Sequence, residues 1–254
     1  MLKLSSILIL GSVLGAQTVP DHYHSEAYGD PHFLLEDGWK PLLNGRDLSG
    51  WKAQDAKPSE WFTAKAVYWR RVFNPVRLDA VAGQGDRIVN GKTGRTVNLV
   101  SEGKFGDAEL YMEFLLAKGS NSGVYVHGLY EIQIFDSYGA AGPMTVGDCG
   151  GIYESDKSTH GRPPSLNACL PPGQWQSLHI WFRAPRFDSS GRKTENAKFL
   201  RVLLNGALVQ ENVELPEPTR GHMAHPEAPQ NPLMLQGDHS AVAYRSIWVR
   251  TSQP

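Results

Sequence analysis

Residues 121–136 read NSGVYVHGLYEIQIFD, and this stretch decides the fold class. The pattern predicts two short β-strands joined by a tight turn at Gly128. In the second strand, apolar residues at positions 130, 132 and 134 alternate with Glu131, Gln133 and Phe135. Because side chains alternate between the two faces of a strand, we expect one face to be buried. The other face presents a carboxyl and an amide, which suits the floor of a site for a polar ligand.

The rest of the chain also favours an all-β fold. Alternating patterns typical of strands recur over residues 109–117, 177–183, 199–204 and 244–250. Glycine (26 residues) and proline (17 residues) are too frequent for long helices. Many short strands separated by turn signals predict an antiparallel β-sandwich of jelly-roll type, with a barrel as the alternative.

Length and charge limit the functions that need to be considered. The chain has 254 residues, which is enough for one large β domain. Its formal net charge is −1, and this balance gives no indication of nucleic acid or an anionic membrane as a partner.

The N-terminus has the pattern of a targeting segment. Lys3 precedes an uncharged apolar run over residues 4–14, and the small residues Gly15 and Ala16 follow. This pattern predicts a signal peptide over residues 1–16 and export to the periplasm or the medium. The run is short for a membrane span, although an uncleaved anchor is the alternative.

Two further segments complete the predicted organisation. Residues 17–35 are polar, and their histidines lack the spacing of metal ligands, so we interpret them as a linker. Residues 36–254 are predicted to form the folded domain, with no membrane contact once the signal peptide is removed.

The two cysteines, Cys149 and Cys169, lie 20 residues apart. In an oxidising compartment an even number of cysteines usually indicates a disulfide, and we predict a bridge between them. The alternative is a pair of buried free thiols. Neither residue has the CxxC spacing of a redox or zinc site.

Six segments, in this order along the chain, resemble the 3-keto-disaccharide hydrolase domain family. They are WKPLLNGRDLSGW at 39–51, GDAELYMEFLLAKGSNSGVYVHGLYEIQIFDS at 106–137, GDCGGIYE at 147–154, SLNACLPPGQWQSLHIWFRAPRF at 165–187, the segment 203–215, and PLMLQGDHSAVAYRSIWVR at 232–250. The resemblance implies a concanavalin A-like jelly-roll β-sandwich of antiparallel sheets with a concave sheet that faces sugar. It also implies activity on glycosides already oxidised at C3.

Two regions depart from the family pattern. Residues 66–98 are longer and more polar than the compact strand pair expected there. Many relatives read LQDHG near the end of the domain, whereas residues 235–240 read LQGDHS, so that Gly237 is inserted before Asp238 and His239.

The implied substrate has a specific chemical weakness. A ketone at C3 acidifies the hydrogen on C2, so a base can remove that proton and the enolate can expel the glycosidic oxygen from C1. Addition of water gives hydrolysis, and without it the reaction ends as a lyase step. This route needs a base, stabilisation of the enolate oxygen and an acid for the leaving group. It does not need the two opposed carboxylates of ordinary glycosidases.

Three residues are candidates for the catalytic groups. Glu131 is the first candidate for the base, with a hydroxyl acceptor or a solvated strand residue as the alternative. Asp136 is the second, although it could instead cap the turn that follows it. His239, beside Asp238, is the candidate for acid–base catalysis or metal binding, with a surface loop histidine as the alternative.

A divalent metal is the one cofactor that the sequence leaves open. Some of His127, Asp136, Asp238 and His239 could hold a metal that stabilises an enolate, but their spacing matches no standard ligand motif.

Further residues are predicted to bind the sugar. Aromatic rings can stack on the apolar face of a pyranose, and polar side chains can bind its hydroxyls. The candidates for stacking are Tyr125, Tyr153 and Trp181, and the candidates for hydrogen bonding are Asn121, Gln133, Asn167, Gln236 and Asp238. Trp181 alternates with His179, so we expect both side chains on the concave face.

The preferred interpretation is thus a hydrolase or lyase of 3-keto-glycosides or 3-keto-disaccharides. A sugar 3-dehydrogenase is the expected upstream partner, because it would supply the oxidised saccharide. The alternatives are a non-catalytic carbohydrate-binding jelly-roll module and an ordinary glycan hydrolase, which would need a carboxylate pair about 5–10 Å apart.

Overall fold

The computed structural model describes residues 31–157 and 161–251. The predicted signal peptide and most of the predicted linker lie outside the described residues. Within the described part the chain is made of strands, with short 3-10 turns at His32–Leu35 and Gln54–Ala56. No helix in that part is long and apolar enough to span a bilayer.

Sixteen strands are formed by the described residues. In chain order they are β1 Trp39–Pro41, β2 Trp51–Ala53, β3 Phe62–Trp69, β4 Leu78–Ala82, β5 Arg87–Val89, β6 Leu99–Phe105, β7 Ala108–Leu116, β8 Asn121–Val126, β9 Tyr130–Phe135, β10 Trp175–Arg183, β11 Arg186–Phe187, β12 Lys193–Glu195, β13 Ala197–Leu204, β14 Ala207–Leu215, β15 Asn231–Leu235 and β16 Val242–Thr251.

The strands form two main antiparallel sheets. The larger has nine strands in the order β14-β13-β10-β7-β16-β5-β3-β4, with β1 also paired to β16. The smaller has five strands in the order β2-β6-β15-β8-β9, and β11 and β12 form a separate hairpin. Because both sheets have free edges, the molecule is a sandwich and not the alternative barrel. The predicted all-β antiparallel class is confirmed.

The main core lies between the two sheets. Leu110, Met112 and Phe114 of β7 point into it and are fully buried, as the alternation in the sequence predicts. From the facing sheet, Ile132 and Ile134 of β9 enter the same cluster. Burial of such side chains contributes about 1.5–3 kcal/mol each and fixes which face of each strand points outward.

The predicted hairpin at residues 121–136 is formed as β8 and β9. Its register places Tyr125 opposite Glu131 and Gly123 opposite Gln133. Gly128 adopts the left-handed conformation with φ of 63°. A Cβ atom there would lie 2.6 Å from the sulfur of Met223, so the turn requires glycine both for its conformation and for its packing.

The folded part begins earlier than the sequence suggests. Residues 31–35, assigned to the linker, pack against the domain, and Leu34 is only 5% exposed. The ring of Phe33 stacks on His179 with centroids 4.6 Å apart. A run of three apolar residues at 33–35 within a polar segment is too short to show strand or helix periodicity, which explains the difference.

Cys149 and Cys169 are buried free thiols, contrary to the predicted bridge. The two thiols are in hydrogen-bonding contact with each other. The prediction that the two side chains lie together was right, but the predicted covalent bond between them is absent.

Candidate active site

The outer face of the five-stranded sheet carries the predicted hairpin's polar side chains. Across β6, β15, β8 and β9, the register aligns Val100, Met234, Tyr125 and Glu131 in one row. The first three form a small apolar cluster of their own. Glu131 therefore stands at the end of an apolar strip and not on an open, solvated surface.

Glu131 is almost fully buried, with 3% of its surface exposed. Its side chain leans over Gly123, where an added Cβ would lie 2.1 Å from the Glu131 carboxyl oxygen. Burial raises the pKa of Glu131 to about 8, although Tyr125 and His239 oppose the shift. At neutral pH only roughly a tenth of this carboxyl is ionised.

Tyr125 contacts Glu131 from the neighbouring strand. Its hydroxyl donates to the carbonyl of Arg220 at 3.1 Å and is also in hydrogen-bonding contact with the Glu131 carboxyl. Burial and the nearby Glu131 raise the pKa of the phenol, so it stays protonated. Tyr125 is 1% exposed, so its ring cannot stack on a sugar as predicted; it supports Glu131 instead.

Asp238 and His239 form an ion pair close to Glu131. The Asp238 carboxylate accepts a hydrogen bond from His239 Nδ1 at 2.6 Å, and about half of each side chain is exposed. This bond raises the pKa of His239 and lowers the pKa of Asp238. The charged imidazole in turn favours ionised Glu131. A buried carboxyl and an imidazole, each with a raised pKa, therefore lie within electrostatic range of each other.

Two amide side chains lie in the next row of the same face. Gln133 pairs in register with Gly123, and the backbone N–H of Gln236 donates to the carbonyl of Gly123 at 2.9 Å. The side-chain oxygens of both glutamines are buried and accept no hydrogen bond from any described residue. Buried acceptors without donors are rare in folded proteins, which makes these two oxygens candidates for binding ligand hydroxyls.

The structure brings six of the predicted site residues together around this face. They are Tyr125, Glu131, Gln133, Gln236, Asp238 and His239. Asn121 borders them, because its carbonyl accepts a hydrogen bond from the Ser240 hydroxyl at 3.0 Å. Tyr153 is half-buried in the loop after β9 and lies close enough to Tyr125 to raise the pKa of its phenol.

Asp136 and Asn167 are not part of this group. Asp136 lies five residues after Glu131 and accepts a hydrogen bond from the Gly119 amide at 2.7 Å. It therefore ties the β7–β8 turn to the end of β9, a different turn from the one it was expected to cap. Asn167 donates to the carbonyl of Ser137 at 2.6 Å and holds the loop after β9.

Trp181 lies on the other side of the sandwich. It stacks on His179 with centroids 3.8 Å apart, on the outer face of the nine-stranded sheet, and Arg201 lies over its ring at 5.3 Å. The two side chains share a face, as alternation predicts, but this face points away from Glu131. Alternation gives the relative direction of neighbouring side chains and cannot tell which side of the sandwich they reach.

The predicted metal ligands do not converge. His127 is 2% exposed, packs on Phe182 at 4.8 Å, and has a pKa lowered to about 4 by burial. Asp136 is held at the β7–β8 turn, which leaves only Asp238 and His239 together. Over residues 31–157 and 161–251, no three His, Cys, Asp or Glu side chains are grouped to bind a metal. Metal binding stays a prediction, and no step below depends on it.

Asn90 is a supporting residue that the sequence did not reveal. It is fully buried, and its side-chain amide donates to the carbonyls of Gly237 at 3.0 Å and Ser240 at 2.7 Å. Its side-chain oxygen accepts from the amide of Val242 at 2.9 Å. Asn90 thus fixes both ends of the turn that carries Asp238 and His239.

The inserted Gly237 fits tightly against the same segment. A Cβ there would lie 2.7 Å from the carbonyl of Val97 and 2.9 Å from the indole nitrogen of Trp61. Arg95 also donates from Nε to the carbonyl of His239 at 2.8 Å. The Asn-Gly turn signal at residues 90–91 was the one local sign of a special role for Asn90. The residues that Asn90 holds lie about 150 positions further along the chain.

A cavity of about 540 Å³ adjoins this turn. It is lined by Gln54, Lys57, Pro58, Ser59, Glu60, Arg95, Thr96, Val97, Asn98 and Asp238. Of the candidate site residues, Asp238 alone is in this lining, so the cavity provides space for a ligand beside the Asp238–His239 pair.

The fold has close counterparts among solved structures. Three proposed glycosyl hydrolases from Parabacteroides distasonis superpose with TM-scores of 0.60, 0.51 and 0.51, at 23%, 15% and 20% identity. The alignments cover 85%, 85% and 84% of this chain and 84%, 95% and 99% of theirs. At these identities the likeness establishes the fold, and the predicted jelly-roll architecture is confirmed.

The fold is an antiparallel jelly-roll β-sandwich, and the polar groups described above lie on the outer face of its smaller sheet. Residues 38–250 match the model of the 3-keto-alpha-glucoside-1,2-lyase-like domain, and the chain belongs to that family. The resemblance seen in the sequence is therefore confirmed. No curated protein matches the sequence.

Proposed function

We propose that the protein cleaves the glycosidic bond of 3-keto-glycosides by removing the proton on C2 and expelling the oxygen on C1. One observation carries the proposal: the buried carboxyl of Glu131, with its pKa raised to about 8, lies within electrostatic range of the Asp238–His239 pair. Family membership supports the same chemistry.

Glu131 is the base in this proposal. A catalytic base is most effective when its pKa lies near the working pH, because it is then both basic and partly ionised. Burial gives Glu131 this property, and an exposed carboxylate with a pKa near 4 would be a weaker base for a C–H proton.

His239 is the acid that protonates the leaving oxygen. Asp238 holds its Nδ1 and raises its pKa, so the imidazolium has a proton to donate from Nε2. In the complete step, the C2 proton passes to Glu131 and the C1–O bond breaks. A C1–C2 double bond forms, and the departing oxygen takes the proton from His239. Water added across the double bond completes hydrolysis; otherwise the unsaturated sugar is released.

Gln133 and Gln236 position the sugar. Their buried side-chain oxygens accept no hydrogen bond from a described residue, and sugar hydroxyls can satisfy them. An uncharged acceptor holds a hydroxyl without competing with Glu131 for a proton.

The proposed substrate must be made by another enzyme, and the sequence indicates where the protein meets it. A 3-keto sugar requires an enzyme that oxidises the C3 hydroxyl, so a sugar 3-dehydrogenase acts upstream. The sequence pattern of residues 1–16 supports action outside the cytoplasm, in the periplasm or the medium.

The test uses purified protein with a 3-keto-glucoside and with the parent glucoside. Release of the aglycone from the keto compound alone supports elimination. Release from the parent glucoside would instead support an ordinary glycan hydrolase. Binding of either sugar with no release would support a carbohydrate-binding module. Repeating the assay after chelation tests the predicted metal.

A further inference from the structure

A second cavity, of about 560 Å³, lies at the far end of β9 from Glu131. Asp136 marks its position, and five residues of extended strand place it about 17 Å from Glu131. Its lining residues are Trp69, Arg71, Lys118, Asp136, Tyr138, Pro171, Pro172 and Gln174. Four separate segments of the chain contribute to it, and the proposed reaction uses none of these residues.

Two aromatic rings form part of the wall. Tyr138 is 56% exposed, so its ring is accessible to a ligand. Trp69 is half-buried and fixed, because its indole nitrogen donates to the carbonyl of Pro75 at 2.7 Å. Its ring also packs on Gly173, where an added Cβ would lie 2.6 Å from the ring. Exposed or fixed aromatic rings offer apolar surfaces on which the C–H face of a pyranose can pack.

Two cations face the same cavity without a charged partner. Arg71 and Lys118 are exposed, and neither forms an ion pair with a residue that the structure describes. The one carboxylate of the lining, Asp136, already accepts the Gly119 amide at one oxygen. The cavity therefore has an excess of positive charge beside aromatic and amide groups.

We propose that this cavity binds an acidic saccharide unit. Its sugar ring packs on Tyr138 and Trp69, and its carboxylate or sulfate pairs with Arg71 and Lys118. Gln174 and the second oxygen of Asp136 form hydrogen bonds with the hydroxyls of the sugar. This goes beyond bond cleavage at Glu131, because it gives the protein a separate site that holds a charged glycan.

The test measures calorimetric binding of tri-galacturonate and of neutral maltotriose to full-length protein carrying Glu131→Gln, so that no turnover interferes. We expect the acidic trimer to bind and the neutral one to bind at least tenfold more weakly. The double variant Arg71→Gln/Lys118→Gln should lose at least tenfold in affinity for the acidic trimer, and Tyr138→Ala should weaken it too. Arg201→Gln, an exposed cation of β13 that does not line this cavity, is the matched control and should leave binding unchanged.

Three results would overturn the proposal: no binding of the acidic trimer, equal affinity for both trimers, or unchanged affinity in the double variant. Cleavage of a small 3-keto-glucoside by Arg71→Gln/Lys118→Gln in the wild-type background separates the two sites. We expect that rate to be unchanged. A protein that binds the acidic trimer but cleaves no keto sugar would refute only the proposed reaction.

Discussion

Both outer faces of the sandwich carry a histidine bonded to a carboxylate, yet the two pairs differ in what surrounds them. His239 and Asp238 meet at 2.6 Å with about half of each side chain exposed. His179 and Glu109 meet at 2.7 Å with 12% of each exposed. The two hydrogen-bond distances therefore do not distinguish the pairs, and their surroundings must.

In the His179–Glu109 pair, neighbouring side chains already occupy the carboxylate and both faces of the imidazole. Glu109 also accepts two hydrogen bonds from Arg250, at 2.9 and 2.6 Å. Burial raises the pKa of Glu109, but the bonds from His179 and Arg250 outweigh it and the net shift is downward. Phe33 and Trp181 stack on the two sides of the imidazole. The first pair, by contrast, borders a cavity and the neutral Glu131, so it can exchange a proton with a ligand.

The largest expected effect distinguishes Glu131 from Glu109. Glu131→Gln removes the base and should lower kcat/KM on a 3-keto-glucoside by about 10²–10⁴-fold. Glu109→Gln should leave kcat/KM within a few-fold of wild type, although it loses the ion pairs with His179 and Arg250. Steady-state rates of both variants check this, and a comparable loss in Glu109→Gln would break the distinction between the faces.

The histidines provide the next comparison. His239→Gln should lower the rate by about 10²-fold or more for a poor leaving group and less for an acidic phenol, which departs without a proton. His179→Gln should lower the melting temperature and leave the rate unchanged, since its ring packs between Phe33 and Trp181. A leaving-group series checks this; an equal loss for good and poor leaving groups would contradict the acid role.

The pH dependence of the reaction tests which proton form of Glu131 acts. A base must be ionised, so with an acidic phenol as leaving group, which needs no proton from His239, kcat/KM should rise up to about tenfold per pH unit below about 8 and then level off. A profile that instead falls through pH 8 would identify Glu131 as the acid and reverse the roles proposed above.

Gly123 allows a test in which no reacting group is removed but Glu131 is shifted. Gly123→Ala puts a Cβ 2.1 Å from the Glu131 carboxyl and should displace it, with a loss in rate of about tenfold or more. Gly147→Ala is the matched control, because its nearest neighbour would be 3.7 Å away. Equal rates in the two variants would show that the position of Glu131 is not critical.

The last comparison concerns stability. The folded state keeps the Glu131 proton up to pH about 8, whereas the unfolded chain releases it near its ordinary pKa of 4.5. The free energy of unfolding should therefore fall as pH rises between these values, by at most roughly 1.4 kcal/mol per unit of pKa difference. Glu131→Gln should lack this component and be more stable than wild type at pH 9, as urea titrations at pH 5 and 9 would show.

Local alternation predicted the parts of the molecule that depend on neighbours in sequence. It gave the β8–β9 hairpin, the inward face of β7 and the shared outward face of Glu131 and Gln133. It did not give contacts that depend on sheet order. The hydrogen bonds from Asn90 to the turn that carries Asp238 and His239 join residues about 150 positions apart. Nothing in the sequence of either segment indicates that the two are in contact.

The errors have the same origin. Trp181 and Tyr125 were both expected to stack on sugar, because an aromatic residue in an alternating strand has the same pattern at a site, in a core or on a far face. Only the order of strands across the sandwich separates these cases. Asp136 follows Glu131 by five residues, yet the length of an extended strand carries it away from the reacting groups.

The two glutamine oxygens have a consequence for selectivity. A buried acceptor that lacks a donor costs about 1–3 kcal/mol, and a ligand hydroxyl removes that cost. A deoxygenated analogue that fits equally well in shape leaves one oxygen unmatched. The protein should therefore reject deoxy sugars more strongly than the loss of one exposed hydrogen bond would explain. Each of Gln133 and Gln236 requires one hydroxyl group from the ligand.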